Sequence, residues 1–206
     1  MKRNEILRTR FEALWKEAKL VGDPRREFAR LARRYGEKHR AYHTLTHIAD
    51  CLRQFDRVRG KALSPLAMEF AFWCHDVIYD PKAKDNEERS AQFVCDVLTR
   101  AGASKPFIME VLAFILATQH HVVDPSDRDT STLIDIDLSI LGSWPKRFAV
   151  YERGIRREYG FVPDEAYREG RGKFLKGMLT RKRIFATRFF RSRLEARARR
   201  NMEAFR

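Results

Sequence analysis

Cysteine is scarce in this chain, and its count is odd. The three residues, Cys51, Cys74 and Cys95, each fall in an apolar pattern of helical spacing. Such a set does not make a disulfide framework. It suits buried thiols in a reducing compartment, so a cytoplasmic protein is expected. Long apolar runs are missing too: no stretch approaches the ~18 uncharged residues of a membrane helix, and no membrane partner is expected. The N-terminus, Met1-Lys2-Arg3-Asn4-Glu5, is charged with no apolar segment behind it, which argues against a secretory signal. There is no glycine-rich phosphate loop, no Cys-x-x-Cys pair and no Gly-x-Ser-x-Gly elbow. Their absence removes three common routes to nucleotide binding, zinc binding and serine catalysis.

Sustained strand alternation is also lacking, and helical periods dominate. The 206 residues, 44% of them hydrophobic, suffice for one all-α domain with a sizeable core. The expected arrangement is a single helical bundle over 1–206, with its core at about 35–160 and basic C-terminal helices at 161–206 packed on it. Ser64-Pro65 reads as a cap and first-turn proline, and Pro81 sets a limit by Asp80 for the helix they open. Asp85 with Glu88 resembles a capping box. Further helices are expected from Pro106 to about His121, over 131–141, from Pro145, over 164–180, and over 187–205, with a polar loop at 124–129. Charge is uneven along the chain. Residues 1–42 carry 13 Lys and Arg against 6 Asp and Glu, residues 43–144 carry 10 against 15, and residues 145–206 carry 19 against 7. Five of the six histidines lie in the acidic middle segment. Carboxylates with histidines suit a cation, and basic flanks suit an anion brought to it.

The pair His75-Asp76, inside the apolar stretch 68–79, is costly to bury without a partner. A divalent ion would satisfy both. His47 lies upstream at the margin of an apolar helical face, and His43 precedes it by four residues. Downstream, counting at ~100° per residue puts Asp137 near the centre of the apolar face of helix 131–141 and Asp135 on the opposite side. The same count puts His121 at the edge of its helix's apolar face, as a ligand or phosphate contact, and points His120 away. His47, His75, Asp76 and Asp137 would leave coordination positions open on a six-coordinate ion. A water there would be acidified toward hydroxide, which suits hydrolysis of a phosphoester. The ion could be Mn, Fe, Mg, Co, Ni or Zn.

These residues stand in longer strings: Tyr42-His43-Thr44-Leu45-Thr46-His47, Phe72-Trp73-Cys74-His75-Asp76-Val77-Ile78-Tyr79-Asp80, Asp85-Asn86-Glu87-Glu88-Arg89-Ser90-Ala91, Ala117-Thr118-Gln119-His120-His121, Asp135-Ile136-Asp137-Leu138-Ser139-Ile140-Leu141-Gly142 and Ile155-Arg156-Arg157-Glu158-Tyr159. With them the chain resembles the HD-domain superfamily of helical metal-dependent phosphohydrolases, in a bacterial subgroup of undefined substrate. The resemblance implies that His47, His75, Asp76 and Asp137 bind metal, and that Asp76 belongs to the catalytic machinery. Some members of the superfamily hold a second metal, for which His121 with His43 or Glu87 would serve. Glu87, Glu88 or His121 could move protons, and His43, Arg156, Arg157 and Arg171 could hold a small phosphorylated substrate, such as a nucleotide by fold analogy. The chain lacks the Gly-Tyr-Pro signature of cyclic-dinucleotide phosphodiesterases. A different reading makes the Arg-rich helix at 187–206, with Phe189 and Phe190, a nucleic-acid-binding module beside a structural or vestigial metal site. A third is a metal-stabilised scaffold without turnover. No sequence feature sets an oligomeric state.

Overall fold

The computed structural model describes residues 2–121, 124 and 126–205. Pro125 of the expected 124–129 loop and Arg206 of the basic helix lie outside them. The described residues are all-helical, with ten α-helices and two short 3-10 segments. No helix among them is long and apolar enough to cross a membrane, and no disulfide joins Cys51, Cys74 and Cys95. The chain forms two compact units, Met1–Lys38 with His43–Val122, and His39–Tyr42 with Val123–Arg206. That grouping differs from the expected core at 35–160 with helices 161–206 added to it.

The first unit holds α1 (Lys2–Glu17), α2 (Pro24–Tyr35), α3 (Leu45–Asp56), α4 (Pro65–Cys74), α5 (Asn86–Arg100) and α6 (Lys105–Ala117). Helix α4 is apolar on every side, and every residue from Ala67 to Cys74 is buried. A helix of that kind must be enclosed, and α1, α3, α5 and α6 all pack against it. Phe11 of α1 meets Trp73 edge to face at 5.4 Å, and the Tyr35 hydroxyl donates to the Trp73 carbonyl at 2.9 Å. The single charge on α4, Glu69, is buried and accepts from Arg10 Nε at 2.7 Å and Arg59 Nε at 3.4 Å. Pairing of this kind offsets the cost of a buried carboxylate.

Two expected caps differ. Ser64 does precede α4, but its hydroxyl bonds to Glu110 rather than capping the helix. Asp85 precedes α5 without a side-chain cap. Helix α6 ends at Ala117, one turn short of His121, which has a positive φ of 49°.

The second unit holds α7 (Arg128–Asp137), a 3-10 segment (Leu138–Gly142), α8 (Pro145–Glu158), α9 (Asp164–Thr180) and α10 (Arg188–Ala204). Helix α10 packs most closely on the 3-10 segment. A β-carbon at Gly142 would lie 2.5 Å from Leu194 Cβ and 3.0 Å from its carbonyl oxygen, so only glycine admits this approach. Asn201 Nδ2 donates to the carbonyls of Leu141 and Ser143 at 2.9 and 2.8 Å. Several arginines of α10 are spent on backbone carbonyls. Arg197 donates to the Gly142 carbonyl, Arg191 to that of Ala186, and Arg199 to those of Leu179 and Arg181 and to Glu195. Phe190 is buried, and Arg193 covers the Phe189 ring at 4.0 Å.

Candidate metal centre

Helix α4 carries the centre at its C-terminal end. The His75 amide makes the last helical bond, to the Ala71 carbonyl at 2.8 Å, and the Val77 amide turns back to Cys74 at 3.0 Å. The helix therefore stops at Cys74, not at Asp80 as Pro81 allowed. His75 keeps helical dihedrals (φ −58°, ψ −34°) as the chain enters the turn at 75–76. His75 Nε2 and Asp76 Oδ2 approach to 3.0 Å.

His47 enters from the first turn of α3, whose start is set by Thr44, its side chain accepting from the Thr46 amide at 3.2 Å. The imidazole is buried with 3% exposure, further inside than the marginal position expected for it. Its Nε2 lies 3.1 Å from His75 Nε2 and 3.5 Å from Asp76 Oδ2. His75 Nδ1 faces the Phe72 carbonyl at 3.2 Å. A carbonyl only accepts, so Nδ1 carries the proton and neutral His75 turns a lone pair on Nε2 toward the other two groups. Metal-binding histidines are oriented by this same bond.

Two nitrogen lone pairs and a carboxylate at these distances repel one another unless a proton or cation lies among them. Two ligands at right angles on an ion with bonds of roughly 2.1 Å lie about 3.0 Å apart, and tetrahedral ligands about 3.4 Å apart. The observed 3.0, 3.1 and 3.5 Å match that range, and the three residues form a group able to hold one ion. Burial alone would raise the Asp76 carboxyl; with no ion among the three groups, it is the protonated forms of His75, His43 and His47, with a hydrogen bond from His75, that outweigh burial and hold the group well below the usual carboxylate range, a role a bound cation would take over.

Around this triad the first unit places several expected residues. His43 precedes α3 in a turn, with its ring 6.0 Å from that of His47 and 4.2 Å from that of Tyr79. Glu87, in the first turn of α5, is half-buried. Its carboxyl is raised by burial and by the charges of Asp76 and Glu88, and His121 acts against that rise. Glu88 is exposed and accepts from Gln119 Nε2 at 2.6 Å. His121 is half-buried and His120 exposed, although α6 ends before both and the helical phase counted for them does not apply. Cys51 was missed, although its place one turn after His47 was legible: its Sγ lies 3.7 Å from His47 Nε2. Tyr79 was missed as well.

The second unit holds the remaining expected residues, and here one expectation is corrected. Asp135, placed on the polar side by phase counting, is the more buried carboxylate, at 1% exposure, and Asp137 is half-buried. Asp135 accepts from the amides of Ala186 and Thr187, both at 2.7 Å, and from the Thr187 hydroxyl at 2.6 Å, so it holds the start of α10. Phase counting assumed a single buried face, whereas residues 133–136 of α7 are buried on every side. Asp137 is the last residue of α7, and its charge acts on Tyr151, whose hydroxyl burial pushes up to about 12.

Arg171 donates to Glu152 at 2.6 and 3.0 Å and to the Tyr151 hydroxyl at 2.8 Å. Arg156 bonds to Asp164 at 2.6 Å and to the carbonyls of Tyr159 and Val162 at 2.7 and 3.0 Å. Both are committed to partners within the unit, and Arg157 is exposed. Glu158, buried and unforeseen, accepts from the amides of Ala41 and Tyr42 at 2.8 and 2.7 Å. It fixes the backbone just ahead of His43 in sequence. Comparison with family models, with curated proteins and with solved structures returns no match for this chain.

Proposed function

We propose that this protein is a metal-dependent phosphohydrolase of the HD type, cleaving a phosphoester such as that of a nucleotide. The observation that carries the reading is the convergence of His47 Nε2, His75 Nε2 and Asp76 Oδ2 within 3.5 Å of one another, buried at the end of an apolar helix. The order of residues along the chain, matching the superfamily's motif, assigns the fourth ligand to Asp137. A divalent ion, when bound, acidifies a water and polarises a phosphoryl oxygen. The protein's own groups supply the rest. His75 is held in the binding tautomer by the Phe72 carbonyl. Glu87, whose carboxyl burial raises, accepts and returns a proton, and His121 shares that work. His43 contacts the substrate. Arg157 is the arginine of the expected three that is left to meet a phosphate, since Arg156 and Arg171 hold carboxylates.

Elemental analysis of purified wild type, Asp76→Ala and Asp137→Ala tests the centre. The wild type should carry roughly stoichiometric divalent metal, and both variants should lose it. Equal metal in all three removes the assignment. A screen of phosphomonoesters, nucleotides and cyclic nucleotides with Mn, Fe, Mg, Co, Ni and Zn tests the chemistry. Retained metal with no turnover of any of them replaces the enzyme with a metal-stabilised scaffold.

A further inference from the structure

The second unit contains a cleft that shares no residue with the metal centre. Its volume is about 570 Å³, and helices α8 and α9 and the end of α10 form it. That is the size of a small-molecule site, and larger than a bare oxyanion needs. Its walls carry four arginines, Arg153, Arg156, Arg168 and Arg171, against two acids, Glu152 and Asp164. The acids are used up. Glu152 is held by Arg171 through two hydrogen bonds, and Asp164 by Arg156 in the same way. Arg153 and Arg168 are exposed and form no hydrogen bond or ion pair among the described residues, although Arg168 lies within reach of the Asp164 charge. The cleft is left with two surplus positive charges, which match the near-dianionic charge of a phosphomonoester.

A second observation is independent of charge. Phe205, half exposed, adds an aromatic surface at the rim, and Gly172 leaves the α9 side open, since a β-carbon there would meet nothing within 4 Å. We propose that this cleft binds a phosphomonoester of nucleoside-monophosphate size, with its phosphate between Arg153 and Arg168 and its planar ring against Phe205. The site stands whether or not the metal centre is catalytic.

Calorimetric titration of the full chain with adenosine monophosphate and with inorganic phosphate tests it. Wild type should bind adenosine monophosphate saturably and more tightly than phosphate. Arg168→Gln, which removes a charged donor, and Gly172→Leu, which fills open space, should each weaken binding on the order of tenfold or more. Saturable binding should persist in Asp76→Ala, which disables only the metal centre. The proposal is overturned if wild type shows no saturable binding, if phosphate binds as well as the nucleotide, or if both cleft variants keep wild-type affinity. Loss of binding in Asp76→Ala alone would also overturn it, by placing the nucleotide at the metal centre. Should Gly172→Leu fail to fold, the exposed Arg168→Gln decides.

Discussion

Asp135 and Asp137 are two residues apart and do unlike work. Asp135 is a buried acceptor for three donors at the start of α10, and Asp137, at the end of α7, is the ligand candidate. Asp135→Ala should therefore cost about 2–4 kcal/mol in denaturant unfolding, because three donors lose a buried acceptor. It should keep the metal that Asp137→Ala loses. The same metal loss in both variants would mean that α10, through Asp135, holds the ligand in place. Asp137 was chosen from the sequence for the wrong physical reason. A face count recognises burial on one side of a helix and has no means of recognising a helix enclosed on all sides. His121 is half-buried and His120 exposed, the order the same count gave, but α6 ends at Ala117 and the helical phase the count assumed does not reach either residue. His47 and His75-Asp76 were legible because polar residues inside apolar patterns demand a partner. The Phe72 carbonyl, Tyr79 and Glu158 were not, since their roles depend on turns and distant segments that no local pattern encodes.

Helix α4 shows how far element-level reading reaches. Its apolar composition and its proline start were visible in the sequence, but its end was not. Pro81 sets only an upper limit, and the helix yields earlier, at Cys74, where the chain turns. Trp73→Ala in this enclosed helix should cost about 3–5 kcal/mol, measured by chemical denaturation, because the cavity is walled by rigid aromatic neighbours. At α10 the sequence suggested a nucleic-acid surface, whereas Arg191, Arg197 and Arg199 are spent on backbone carbonyls. Arg197→Gln should therefore lower the thermal midpoint while changing affinity for arbitrary duplex DNA by less than about twofold. A larger fall in affinity than in stability would restore the nucleic-acid reading. Gly142→Ala should destabilise by roughly 1–3 kcal/mol, since its new methyl meets the backbone of Leu194.

At the scale of the molecule, the basic-acidic-basic order of the sequence does not survive folding. The second unit, 39–42 with 123–206, holds 21 Lys and Arg against 12 Asp and Glu, and the first holds 21 against 16. Both are net positive, so the acidic segment is a feature of the chain and not of either unit. Removing metal should act on the whole fold. An ion bound only by the native state adds to its stability, so chelation should lower the thermal midpoint by roughly 5–15 °C, and added divalent metal should restore it. An unchanged midpoint would mean that no native-state ion is bound. The ending of α4 sets a time scale as well. The His75 amide is bonded to Ala71 at the end of a segment whose residues from Ala67 onward are buried. That amide has no small local fluctuation through which to exchange with deuterated solvent, so its exchange should report the opening of the first unit's core. If His75 is a ligand, an ion it holds should leave only when that core opens, and metal exchange should be slow even where metal affinity is modest.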